Sequence, residues 1–487
     1  MDKKCKFRVI HFVLESLELE HNKRKCQLSL DRIEQTGFLK NILLFYLIIG
    51  NIIKYSTFML SVYKKLILYK FIAGIVILVF ESDTNFQDIK PVSKKADNYD
   101  SVIYDTVVIG SGPGGSIAAL KSTQKNENVL IIESGKAYSS KTIEHHSLAQ
   151  TNLQFYKQGM NICYGNIPML FAEGATYGGG SEVNSGLYFK LTEPYKNILL
   201  KESNINKYEW DEAEKRVEKL ISVQYAPEGS FDNLKSALVD GSNNFGLICE
   251  EIPRWRQYKP VEEHMSMQAS YLKTAEENGL SVLTETKVLK IECLVDYINI
   301  ISKNNNKLIN IKAKKIVLSA GTIGTPKILK NSRLINDTVR FNFHPMTRCV
   351  VDYGEEVNDG DLFPPYQSWT KDHRFKYGYS VSTYPFVKAT LASLGIYKDI
   401  PNPSSLVCYF SSTVLESSYG RLLDFNGKMI PVSYISKKDR RKINEGFELL
   451  REILKSTSVS HVWPVRGVSP MTTVHVFGSL PIGKNKD

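Results

Sequence analysis

Three glycines, Gly110, Gly112 and Gly115, follow directly on the apolar run YDTVVI at 104–109. An apolar strand running into GxGxxG has the parts of a dinucleotide site. Gly110 permits the tight turn, Gly112 lets backbone N–H groups approach a pyrophosphate, and Gly115 lets the next helix lie close on the strand. The spacing predicts that helix over 116–124, and its N-terminus offers N–H donors and a partial positive charge to a diphosphate. A second apolar run at 128–132 follows at the distance a βαβ unit requires and ends in Glu133, an acid placed to bind ribose hydroxyls.

Other blocks that bear on chemistry stand downstream. The segment ATYGGGSEVNSG at 175–186 packs four glycines around Ser181 and Asn184, which allows close backbone approach to a ligand. KIVLSAG at 315–321 reads as a buried strand and TIGTPKIL at 322–329 as a turn and helix start, with Pro326 suited to the first helical turn. HVFGSLPIG at 475–483 sets His475 ahead of a flexible loop. These four blocks, in this order, resemble the glucose-methanol-choline (GMC) oxidoreductases over about residues 104–487.

The resemblance implies FAD rather than NAD. Gly110, Gly112 and Gly115 would lie near the pyrophosphate, Glu133 on the adenosine ribose, and Gly179, Ser181 and Asn184 along the isoalloxazine side. Val288 matches the position whose backbone faces the adenine, although a plain core valine reads the same. The sequence departs from the family pattern at Ser332-Arg333, where Ser-Gly is usual, which puts that turn in doubt. His344-Pro345 falls where relatives often carry a His-Pro pair, but an isolated histidine is more often structural.

Oxidising an alcohol needs a base for the hydroxyl proton while the carbon delivers hydride to flavin, and imidazole has a suitable pKa. His475 matches the family histidine that lies against the flavin and is the candidate base. Relatives continue for some tens of residues with a strand, an Asp and a second His or Asn, so the chain reads as truncated or split, or as an enzyme that has lost activity. Three functions compete. The favoured one is an FAD-dependent dehydrogenase or oxidase acting on the CH–OH group of an alcohol or sugar-like donor. The second is a catalytically impaired FAD-binding fragment or half of a split enzyme, and the third a GMC-type lyase. The substrate is a small-molecule alcohol of unspecified identity, and the electron acceptor, whether oxygen, quinone or cytochrome, is not named by the sequence.

The fold class read from these elements is α/β: a Rossmann-like FAD-binding domain, an antiparallel-sheet substrate domain and an apolar N-terminal helical extension. The chain of 487 residues divides as 1–100, 101–345, 346–470 and 471–487, the last returning to the FAD-binding domain. The net charge of +11 is not gathered into one basic run, which argues against nucleic acid. The seven scattered cysteines form no CxxC pair, and His145, His146, His264, His373 and His461 have no ligand spacing, so no metal centre is read.

Residues 1–100 hold 16 Lys or Arg against 11 Asp or Glu, over-basic for their length. Within them 38–80 is strongly apolar but interrupted by Lys54, Lys64, Lys65 and Lys70, so no charge-free run reaches the ~20 residues of a simple span. Packed or interfacial helices, the lysines snorkelling toward headgroups, are favoured over a true span. The protein is therefore expected to be cytoplasmic or membrane-associated. Residues 81–103 read as a polar linker.

Overall fold

The computed structural model describes residues 89–481, apart from 95, 97, 98, 100, 160, 261, 336, 337, 359–363, 397–400 and 426. The apolar stretch 38–80 lies outside the described residues. Among those described, no helix is long and apolar enough to cross a membrane.

The βαβ unit forms as the sequence requires. Strand Ile103–Ile109 runs parallel to Val129–Ile132 on one side and to Lys307–Leu318 on the other. The strand alternates its side chains, as the period of two demands. Val108 and Ile131 pack with Ala119 and Leu120 on one face. On the opposite face Val107, Ile109, Leu130 and Ile132 pack with Ile300 and Ile328. Ser281–Leu283 extends the sheet in parallel, and Thr286–Cys293 and Ile298–Asn304 complete six strands as an antiparallel edge. Asn305 and Asn306, both in the left-handed region, make the hairpin turn between Ile298–Asn304 and Lys307–Leu318.

The intervening helix is Pro113–Thr123, starting three residues before the expected 116. Pro113 sits in its first turn, where a fixed φ suits the helix and the missing N–H has no intrahelical acceptor to lose. Pro326 behaves differently: it lies inside the helix Gly321–Asn331 rather than in its first turn. That helix ends in the turn placed in doubt, and the turn is kept. Arg333 adopts φ 59°, Arg333 N–H donates to Lys330 O and Leu334 N–H to Leu329 O, the paired bonds of a Schellman motif.

The second layer is a sheet of thirteen strands, mostly antiparallel, with Val476–Phe477 at one end and Ile248–Glu251 at the other. Its strands do not all come from 346–470. Asn161–Gly165, Met169–Phe171, Ile248–Glu251 and Val339–Phe343 join it, so the two layers interleave along the chain. The helix Lys437–Lys455 covers one face, setting Phe447, Leu450, Ile453 and Leu454 against Cys349, Val351, Tyr377 and Tyr409. That spacing of three and four residues is one helical face.

The described part of the expected linker is packed rather than free. Val92 N–H donates to Ala137 O at 2.8 Å, Thr284 N–H to Lys94 O at 3.1 Å, and Lys94 pairs with Glu276 at 2.5 Å. Between the six-stranded layer and the opposite face of the large sheet lies a cleft of about 4100 Å³.

Candidate active site

The floor of the cleft is made by two glycine loops set back to back. A Cβ on Gly115 would fall 1.9 Å from Gly110 O, which leaves glycine as the residue that lets helix Pro113–Thr123 lie against the turn. A Cβ on Gly179 would fall 2.7 Å from Gly112 Cα, so the loops touch through bare backbone. On the cleft side the geometry reverses: a Cβ added at Gly112 or Gly180 meets nothing within 4 Å. Above Gly112 the first-turn N–H groups have no intrahelical acceptors, and no side chain caps them.

Glu133 fixes this floor. Its buried carboxylate accepts from Ser111 N at 3.0 Å, Ser111 Oγ at 2.7 Å, Gly135 N at 2.7 Å and Ser134 Oγ at 3.1 Å. Ser111 Oγ accepts in turn from Gly178 N at 3.0 Å, tying the turn to the second glycine loop. Four donors match the roughly four lone-pair sites of a carboxylate. Of these the Ser134 hydroxyl makes the longest contact and the one most readily exchanged.

The other expected residues line the cleft or shape its wall. Ser181 is fully buried: its hydroxyl donates to Gly178 O and accepts from Met267 N. Asn184 Oδ1 accepts from Gly186 N at 2.9 Å. Val288 is buried at the register irregularity of its strand and borders the cleft. His145, His146 and His264, given no role from sequence, stack under this loop with centroids 4.0 and 4.8 Å apart, and His264 Nε2 contacts Ser181 O at 2.7 Å. Burial pushes His146 down to about 3 and His264 to about 4, so this stack is neutral at physiological pH.

Across the cleft stands His475. Strand Val476–Phe477 pairs with Val339–Phe343, and Thr322 Oγ1 donates to Val476 O at 2.8 Å, which anchors the histidine loop to the start of helix Gly321–Asn331. The pairing brings up His344, the residue the sequence left as structural. The Nδ1 atoms of His344 and His475 lie 3.3 Å apart and the rings meet edge to face. At this separation one Nδ1 carries the shared proton and the other accepts it.

Both rings open onto the cleft, yet the protein around them disfavours the cation. Burial, then the His475 ring and the Lys376 ammonium, lower His344 to about 4. Burial and then Lys376 lower His475. Lys376 was not singled out from sequence, although its place between Phe375 and Tyr377 in an alternating strand sets it on the face opposite the core. Burial lowers its ammonium to about 8, which leaves it charged at pH 7.

Residues 104–346 match the family model described as GMC oxidoreductase. The chain belongs to this family. An uncharacterized GMC-type oxidoreductase, y4nJ of Sinorhizobium fredii, is 25% identical over 276 residues, covering 52% of this chain and 54% of that protein. The long-chain-alcohol oxidase FAO3 of Arabidopsis thaliana is 26% identical over 273 residues, 49% of this chain and 36% of that protein. The chain thus spans about half or less of the length of these curated relatives. Among solved structures, pyridoxine 4-oxidase from Mesorbium loti superposes with a TM-score of 0.57 at 14% identity, covering 76% of this chain and 87% of that one, a likeness of fold. GMC oxidoreductases are FAD-binding flavoenzymes. The cleft fits such a group on two counts, the open space over Gly112 and Gly180 and the uncapped helix start beside it.

Proposed function

We propose that the chain is an FAD-dependent oxidoreductase acting on the CH–OH group of an alcohol, with His475 as the base for the hydroxyl proton. The observation that carries this reading is the 3.3 Å contact between His344 and His475 at the cleft wall. If His475 Nδ1 donates to His344 Nδ1, Nε2 is left as the lone-pair acceptor of a ring that borders the cleft. The lowered basicity of both rings keeps that nitrogen unprotonated at neutral pH. When His475 takes the hydroxyl proton, His344 remains a neutral acceptor and steadies the new imidazolium. Bound FAD supplies the two-electron acceptor for the hydride leaving the carbinol carbon.

For the cofactor, the backbone around Gly110, Gly112 and Gly115 would receive the diphosphate, and Glu133 a ribose hydroxyl in exchange for Ser134. Gly179 and Asn184 would border the isoalloxazine, with Ser181 acting through the shape of its loop, and the Val288 backbone would meet the adenine. Anaerobic mixing of the FAD-loaded protein with primary alcohols tests the proposal. Bleaching of the flavin absorption is expected, slowed by about 10² to 10⁴ in His475→Ala with FAD retained. Flavin that stays bound and unreduced with every alcohol, or reduction indifferent to His475→Ala, would overturn it.

A further inference from the structure

On the cleft face of the large sheet, cross-strand partners make a continuous row. Trp369 stands opposite Lys376, Lys376 opposite Ser412, Ser412 opposite Met346, and Met346 opposite Thr472. Directly paired residues share a face, and all five border the cleft. Arg348, two residues beyond Met346 on the same strand, falls on the same face. Strand spacing puts the Lys376 and Arg348 backbones roughly 12 Å apart, a distance two long side chains can close from either end.

Among the described residues neither cation has a carboxylate within ion-pair distance. Arg348 donates to two hydroxyls, Nε to Ser380 Oγ at 2.9 Å and Nη1 to Thr472 Oγ1 at 2.5 Å. Lys376 Nζ lies 3.5 Å from the centre of the Phe189 ring, and among the described residues no carboxylate comes within ion-pair distance of it. A cation held in a partly desolvated wall with only hydroxyls or a ring face around it is an unmet electrostatic demand. Elsewhere on this chain two sheltered lysines are matched, Lys196 by Asp211 and Lys442 by Glu416. Lys376 and Arg348 border the same cleft as His344 and His475, both of which feel Lys376.

We propose that the alcohol oxidised here carries an anionic oxygen group, a carboxylate or phosphate, at a distance from its carbinol, and that Lys376, with Arg348 behind it, receives that group. The anion replaces the missing counter-charge while the carbinol faces His475. Phe189 and Trp369, edge to face at 6.5 Å, wall the same space and suit a flat substrate body. This inference rests on the alcohol-oxidising reading above and specifies its substrate class.

The test uses the FAD-loaded protein with matched probes on a benzene frame. Benzoate and phenyl phosphate, which cannot be oxidised at a carbinol, are titrated against the visible flavin spectrum, and whichever binds tighter identifies the group. Reduction by 4-(hydroxymethyl)benzoate is then compared with reduction by benzyl alcohol. Lys376→Met should weaken anion binding, and raise the KM of the acidic alcohol, by about 10- to 100-fold, with the neutral alcohol little changed and FAD content intact. Lys376→Arg should recover much of the loss. Anion affinity unchanged by Lys376→Met, or equal losses for acidic and neutral alcohols, would overturn the proposal. Anion binding that depends on Lys376 in a protein whose flavin no alcohol reduces would fault the oxidation reading and leave the anion site standing.

Discussion

The Nδ1 atoms of His344 and His475 stand 3.3 Å apart although 131 positions separate them along the chain. A pair in such contact acts as a unit, and its members' contributions do not add. His475→Ala should cost the larger share of the flavin reduction rate, His344→Ala about tenfold, and the double variant little more than His475→Ala alone. Stopped-flow reduction of the four proteins measures the coupling. Strictly additive losses would mean that the two rings work independently.

Acid behaviour follows from the same two rings. A base must be unprotonated to work, so its activity is present above its pKa and is lost as pH falls through it. Because His475 is lowered from the ordinary 6.5 by burial and by Lys376, reduction by a neutral alcohol should persist below pH 6.5 and fall as the medium becomes more acid. Lys376→Met removes a positive neighbour of both and should move this acid limb upward. The pH profile of flavin reduction reads both effects.

Lys376 sets a limb on the alkaline side. Its ammonium loses charge as pH rises through about 8, so affinity for an acidic alcohol should be full at pH 7 and decline above 8, while a neutral alcohol shows no such decline. KM values across this range distinguish the two.

Gly112 and Gly115 stand three residues apart and predict opposite failures. Gly115→Ala drives a methyl to 1.9 Å from Gly110 O and should destabilise the fold by about 1–3 kcal/mol. Gly112→Ala meets no protein atom and should melt as the parent does without cofactor, but lose FAD affinity because its methyl enters the cleft. Thermal melts with and without FAD separate the outcomes.

Arg333 occupies a left-handed position at a helix end that favours glycine. Its side chain is exposed, so Arg333→Gly should stabilise by about 1 kcal/mol through relief of backbone strain. A small rise in thermal midpoint checks this.

The nucleotide-side elements were legible because their signals are local. GSGPGG encodes contacts between residues at most five positions apart, and the strands beside it alternate apolar faces within seven residues. The helix starts three residues earlier than its spacing predicts because Pro113 serves as a first-turn residue, a role the sequence reading gave only to Pro326. His344 and Lys376 escaped for a different reason. Each is a single polar residue whose meaning comes from strands paired across the fold, Val339–Phe343 with Val476–Phe477 and Phe375–Tyr379 with Leu406–Thr413. No short-range pattern announces such pairing. At Ser332-Arg333 the left-handed position holds an arginine rather than a glycine, and the turn forms because its two backbone bonds outweigh the strain of one residue.

The large sheet collects strands from residue 161 to residue 477, and its internal seam joins Asn166 to Ile435 through two hydrogen bonds, Nδ2 to O at 2.7 Å and N to Oδ1 at 2.9 Å. The polypeptide therefore cannot be cut into a cofactor half and a substrate half at residue 345. Either piece would carry raw strand edges where its neighbours had been, a template for aggregation. During synthesis the sheet must wait for more than three hundred residues before its last strand emerges, so the early strands near 161–171 need shelter in the interval. For anyone dissecting this chain, point substitutions will report on the site where excised domains would report only on insolubility.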